Sequence, residues 1–314
     1  MAPFYYRGLN IMSYNKKLIK QLVCLFMFTF GNSSFALAEG SYKNTFYVDR
    51  KSSDSLSTQS TTYSSGLTMY FSPVVYGNYP YAEASFVDRQ SFVQFYAGQN
   101  TVESPLATFD GDVYSAGGKF SSNTFPLSFA YSLRKSTQKG NIDASGPVAL
   151  KSETNTQNIS LDFHISKLSS IEASYASSNQ DRKANGNSYF SGTESNYEIS
   201  FKHLSLLGEN KYFSLTIQSG IRLSAQNSNS GDIEFDSKRW SVHGNYYFNK
   251  SFSVSLDHNR YTINSIEQTN GALTSMGMLH YFNPMTNVSF SLSESSSDSG
   301  SDSSSFYVRV SHSF

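Results

Sequence analysis

Along most of this chain polar and apolar residues alternate with a period of two, run after run, from near residue 42 to the last residue. Successive side chains of a strand point to opposite faces, so each run specifies a strand with one apolar and one polar face. The clearest are Phe125, Leu127, Phe129, Tyr131, Leu133; Ile159, Leu161, Phe163, Ile165; Phe213, Leu215, Ile217; Trp240, Val242, Gly244, Tyr246, Phe248; Phe252, Val254, Leu256; and Val288, Phe290, Leu292. At the end, Phe306, Val308, Val310, His312 and Phe314 fall on one face, with Tyr307, Arg309, Ser311 and Ser313 on the other. No window of this length shows helical spacing of comparable quality.

Weaker runs included, strands are expected near 42–51, 60–72, 90–98, 110–121, 125–136, 156–166, 169–178, 194–206, 210–225, 236–248, 250–261, 271–282, 285–294 and 304–314. That makes fourteen, or 12 or 16 if a weak run such as 42–51 or 110–121 is misread. Connections after even strands are short: "SNT" at 122–124, "KL" at 167–168, "LGE" at 207–209, "NK" at 249–250 and "NP" at 283–284. After odd strands the sequence predicts long hydrophilic loops, as in "TQKGNIDASGPVALKSETN", "NQDRKANGNSYFSGTE", "NSNSGDIEF" and "ESSSDSGSDSSS". Tight turns on one rim, long loops on the other and an even strand count describe a transmembrane antiparallel up-and-down β-barrel with both termini in the periplasm. One connection, "SPVVYGNYPYAEASFVDRQ" at 72–90, breaks this rhythm on the turn side. Its two prolines argue against a central strand through it, so it is expected to tuck into the lumen or cover the periplasmic mouth.

Composition agrees with a membrane barrel. The chain holds 25 Phe and 22 Tyr, yet its mean hydropathy is negative. A soluble sandwich would hide those rings in one core, whereas a membrane barrel spreads them over its outside and in two interfacial girdles around a polar interior. Residues 1–38 have the layout of a secretory signal peptide: Lys16, Lys17 and Lys20, an apolar run from Leu22 to Phe30, and Ala36-Leu37-Ala38, with cleavage expected after Ala38 and with Met12 as a candidate start. The apolar run is shorter than the roughly 20 residues of a spanning helix. Cys24, the only cysteine, lies in that segment, and Val23 before it is too bulky for a lipid-attachment signal. Residues 39–314 are then one cysteine-free domain with no disulfide framework. Removal of Arg7 and the three lysines leaves 20 basic against 24 acidic side chains, a balance without the basic footprint of a nucleic-acid binder.

With the barrel in hand, "FYVRVSHSF" resembles the carboxy-terminal insertion signal of bacterial outer-membrane barrels, carried by Phe306, Val308, Val310, His312 and Phe314. His312 stands where Tyr or Phe is usual and Arg309 where a glycine is common. The resemblance implies barrel-assembly machinery and periplasmic chaperones as partners, while barrel closure itself requires the last strand to pair with the first. A second stretch, "GLTMYFSPVVYGNYPYAEASFVDRQSFVQF", resembles a family of general porins of Gram-negative bacteria, in which a "YFSPV"-like strand end is followed by "P-x-A-E-A-x-F". That likeness covers about thirty residues and implies a porin in the outer membrane, surrounded by lipid and lipopolysaccharide.

Fourteen strands lie between the about eight that fill with their own side chains and the 16–18 that leave an aqueous channel, so a narrow watery lumen is expected. By parity Arg134, Arg222, Arg239, Arg309 and Lys202 face inward, with Asp162, Glu172, Glu198 and Asp257, and charged rings are how pores select ions. Small hydrophilic solutes diffusing passively are the expected cargo. Tyr246, Tyr247, Phe248, Tyr281 and Phe282 precede short turns; an interfacial girdle is favoured for them over a sugar slide, because "YYFN" recurs as "HYFN". Two other classes stand beside the porin: a surface receptor or adhesin working through the loops, and a barrel hydrolase. For the hydrolase, Asp257 and His258 are sequence neighbours and point to opposite faces. The six histidines lack metal-binding spacing, and Glu294, Asp298 and Asp302 lack the glycine and bidentate Glu of a calcium loop. No cofactor or metal is expected. No lipid-facing run marks a subunit seam, which leaves monomer and homo-oligomer both open.

Overall fold

The computed structural model describes residues 41–314 apart from 56–57, 106, 123, 143–147, 229–230, 266–267, 299 and 301. Fourteen strands follow in order: β1 (Ser41–Ser55), β2 (Gln59–Val75), β3 (Phe92–Ser104), β4 (Ala107–Ser121), β5 (Leu127–Ile142), β6 (Val148–Ser166), β7 (Ser169–Ala184), β8 (Asn187–Gly208), β9 (Lys211–Ser228), β10 (Gly231–Tyr247), β11 (Phe252–Asn264), β12 (Gln268–Asn283), β13 (Thr286–Ser297) and β14 (Ser303–Ser313). Each pairs antiparallel with its neighbours in sequence, and β1 also pairs with β14, closing the barrel. The expected signal segment, with Cys24, Ala36 and Ala38, lies outside the described residues. No helix among the described residues is long and apolar enough to cross a membrane.

The terminal strand behaves as its alternation predicts. Phe306 and Val310 stand exposed on the outer wall, while Ser311 and Ser313 are buried inside. The backbone N–H groups of Lys43 and Asn44 reach the terminal carbonyl of Phe314, so pairing runs to the last residue. The whole outer wall follows suit: Leu127, Phe129, Leu133, Ile159, Leu161, Phe163, Ile199, Leu256, Met276 and Leu292 are all exposed, with buried serines, Asp162 and His164 behind them. This inversion is the signature of a wall meant for a lipid surround.

Much of the hydrophilic sequence expected to form loops is strand instead. Residues 137–142, 148–155, 179–184 and 187–194 continue the ladders of β5, β6, β7 and β8, and β7 joins β8 through Asn185 and Gly186 alone. Both have positive φ, 49° and 87°, the backbone of a tight hairpin turn that Asn-Gly favours. The reading failed for a physical reason. Above a lipid belt the outer face is wet, so both faces become polar and the alternation that marks a strand disappears. The wall is therefore uneven: β8 has 22 residues and β14 has 11. At about 3.3 Å per residue those are roughly 73 and 36 Å of strand. The terminal rim carries the turns after even strands and the far rim the hairpin tips.

On the terminal rim β2 runs further than expected, past Pro73 to Val75. It does so at an irregularity, where the register jumps from Asn44↔Met69 to Tyr42↔Val74, the kind of place that tolerates proline. The chain then crosses the mouth through a 3-10 turn (Tyr81–Glu83) and one helical turn, α1 (Ala84–Val87), before β3.

Candidate functional site

The strap formed by residues 76–91 is where the protein keeps its apolar core. Tyr42, Val74, Tyr76 and Ala84 form one buried cluster; Leu204, Tyr212 and Tyr247 form another, against which Tyr79 and Val87 of the strap pack. Among the described residues, seven of the nine buried aliphatic and aromatic side chains thus lie at the terminal mouth. Rings from wall and strap interleave: Tyr76 meets Tyr81 at 4.9 Å and Tyr81 meets Tyr281 at 5.4 Å.

Polar contacts reach several strands around the mouth. Glu83, 3% exposed, accepts from Lys202 Nζ of β8 at 2.6 Å and from Tyr247 OH of β10 at 2.8 Å. Lys202 also lies 4.3 Å from the Phe86 ring centre. Tyr76 OH donates to the Pro284 carbonyl at 2.5 Å, Tyr212 OH to that of Asn78, and Lys250 Nζ to that of Gly77 at 3.0 Å. Arg89 reaches the Ser166 carbonyl at 3.2 Å, and Val75 N–H donates to Asp88 at 2.8 Å. Burial raises the Glu83 pKa, but the Lys202 charge and the donated hydrogen bonds outweigh it and hold the carboxyl below its ordinary value.

Above the strap the inner wall carries ion pairs. Lys119 Nζ sits 2.8 Å from Asp162, whose register partner is Glu172. Arg239 and Gln218 both donate to Glu198, and Ser241 Oγ donates to Gln218 at 3.0 Å. Arg222 meets Glu194 at 3.3 Å, and His243 Nδ1 meets Asp257 at 3.1 Å. Across the closing seam Arg309 lies 3.0 Å from Asp49, with its guanidinium 4.1 Å from the Tyr47 ring centre. Tyr47 can lie there because its cross-strand neighbour is Gly66; a Cβ at that position would collide with the ring.

All nine parity candidates therefore face the interior, but they are not one constriction. Lys202 holds the strap; Asp162, Glu198, Arg239, Arg309, Arg222 and Asp257 are engaged in pairs; Glu172 stands opposite Asp162 in register; Arg134 is exposed on the inner face. Parity missed Glu83, Lys119, Asp49 and His243, because it gives the face of a residue and not its partner. The expected aromatic girdle also divides. Tyr246 and Phe248 meet at 4.8 Å, Phe248 stacks on Phe252 at 5.3 Å and Phe282 is exposed, as a girdle requires. Tyr247 and Tyr281 instead point inward and dock the strap.

Neither His164 nor His258 sits in a serine–histidine–acid relay. His164 Nε2 is 3.1 Å from Ser128 Oγ and 3.3 Å from Asp162, so one nitrogen serves both contacts, whereas a relay needs the acid on the other nitrogen. Asp257 pairs across strands with His243, while His258 lies on the other wall face with Thr274 at 3.0 Å. No group of three His, Cys, Asp or Glu side chains suited to a metal occurs among the described residues.

No family model matches the chain, and neither does any curated protein. Among solved structures it is similar to CymD, a monoaromatic hydrocarbon channel, with a TM-score of 0.54, 10% identity, and coverage of 87% of this chain and 89% of that one. It is also similar to the outer membrane protein Omp33 of Acinetobacter baumannii, at TM-score 0.48 and 10% identity over 88% of this chain and 100% of that one. The toluene transporter TodX of Pseudomonas putida matches at 0.49 and 10%, over 86% and 89%. At such identity the likeness to CymD shows the fold, that of an outer-membrane β-barrel.

Proposed function

We propose that this protein is an outer-membrane channel that passes small hydrophilic solutes and ions by diffusion, with its terminal rim and strap on the periplasmic side. The observation that carries this reading is the inner wall. It is built of serines and ion pairs, and Asp162 Oδ1, Arg239 Nε and Arg309 Nε are buried there with no protein partner. Buried polar atoms of this kind need water, so the interior is argued to be wet. CymD is described as a channel for hydrocarbons, but a wall of this polarity suits solvated cargo better. The orientation follows from the far-rim extensions, whose charged outer faces suit the outside of the cell.

The chain from Glu39 onward, refolded into lipid and recorded in a planar bilayer, tests the reading. Stable ionic openings support it. A folded, inserted barrel that passes no current under any voltage or pH overturns it and moves the weight to a surface receptor.

A further inference from the structure

The strongest unassigned feature is a recess of about 700 Å³ on the outer wall, between β9 and β12. Lys238, Trp240, Arg260, Thr262, Asn270 and one carboxylate, Asp298, line it. It sits at the upper border of the apolar belt: Ile221, exposed on the outer wall, is the register partner of Lys238, and Trp240 that of Arg260. Tryptophan favours such an interface, being apolar in body with a polar tip.

The cations of this recess differ from the paired lysines of β6 and β7. On β6 and β7 the outward lysines have acids beside them, Lys151 at 3.3 Å from Glu153 and Lys183 at 3.3 Å from Asp181. Lys238 and Arg260 have no carboxylate within ion-pair distance among the described residues. The two acids of the neighbourhood are already engaged: Asp236 accepts from Asn264 at 2.7 Å, and Asp298, in the lining, accepts from Asn270 at 3.0 Å and from its backbone N–H at 2.6 Å. Lys238 faces Thr262, and Arg260 is two residues along the same strand, so the cations are diagonal neighbours about 7–8 Å apart at their backbones, a span one phosphate can bridge.

We infer that this recess is a binding site for a phosphate on the glucosamine headgroup of lipid A, the anchor of outer-leaflet lipopolysaccharide. The inference rests on the outer-membrane reading and on its orientation. At the border between acyl chains and headgroups a glycolipid presents phosphate where the recess presents Lys238 and Arg260. Acyl chains below would lie against Ile221 and Trp240, and Thr262 and Asn270 sit where sugar hydroxyls would fall. Arg supplies a planar fork and Lys a point charge, the usual pair of phosphate partners.

Trp240 is the only tryptophan in the chain, so its fluorescence reports on this recess alone. The chain from Glu39, refolded into zwitterionic lipid bilayers, is titrated with diphosphoryl lipid A, with lipid A stripped of its phosphates, and with phosphatidylglycerol. The expected result is a saturable shift of Trp240 emission with diphosphoryl lipid A, weaker by about tenfold or more in the doubly substituted Lys238→Gln, Arg260→Gln chain. The parallel Lys139→Gln, Lys151→Gln chain, altered elsewhere on the wall, is expected to titrate like the parent. Equal titration by stripped lipid A, a preference for phosphatidylglycerol, or no loss in the Lys238, Arg260 variant overturns the site while leaving the channel reading standing. Failure of the parent chain to insert, shown by protease accessibility of the belt, overturns both.

Discussion

Replacing Glu83 by Gln removes a charge from the tightest junction between strap and wall. The parent carboxylate is almost fully buried and accepts from Lys202 and Tyr247. A charge-assisted hydrogen bond contributes about 1.5–3 kcal/mol and a neutral one about 0.5–1.5, so two weakened bonds amount to roughly 2–3 kcal/mol. Part of this is returned because Gln is cheaper to bury than a carboxylate, and Lys202, 30% exposed, regains water. A net loss of about 1.5–2 kcal/mol multiplies the ratio of released to docked strap by roughly 10–30. Single-channel recordings read this as excursions to a larger conductance that become ten to thirty times more frequent. Lys202→Met should act in the same direction, and the double variant should lose little more than either single one, since both remove one interaction. Because the docked pKa of Glu83 lies below its ordinary value, the junction is fully formed above the ordinary carboxylate range and is lost as pH falls through the docked pKa. Acidification should therefore release the parent strap and leave Glu83→Gln unaffected. Dwell times unchanged in both single variants, or losses that add in the double variant, would refute the latch.

Three further outcomes follow from the wall. Asp49→Asn breaks the pair that ties the first strand to the last and leaves Arg309 without its acid; a loss of about 1–3 kcal/mol is expected, read as earlier unfolding of the barrel on heating in detergent. Gly186→Ala places a side chain at φ 87°, which should cost about 1 kcal/mol and speed proteolysis at the β7–β8 tip without altering conductance. Arg134→Ser should shift the ratio of cation to anion permeability more than Arg222→Ser, because Arg222 already shares its field with Glu194; equal shifts would remove the pairing argument.

Legibility in the sequence tracked the physics of each surface. Where lipid is to meet the wall, one face must be apolar, and Phe125 to Leu133 or Ile159 to Ile165 announce a strand unaided. Above that belt residues 148–155 and 187–194 obey no such demand, and the same strands continued unseen. Inside, parity placed Asp257 and Arg309 on the correct face but could not name His243 or Asp49, since partners depend on register across strands. The strap was visible only as a break in rhythm, because Glu83 and Lys202 stand 119 residues apart and nothing local pairs them. Tyr247 was separable from Tyr246 by parity, and grouping the two by height concealed it.

The uneven wall bears on how current would flow. An electrolyte column adds resistance in series with its length, so a tall chimney should throttle a pore even when its bore is wide. Here β6, β8 and β9 are the longest strands and β13 and β14 the shortest, so the rim is uneven and low on the β13–β14 side. Ions leaving the barrel can spill over the low side and bypass the chimney. Shortening the β7–β8 hairpin should then leave conductance nearly unchanged, and the electrical length of the pore is set by its shortest wall.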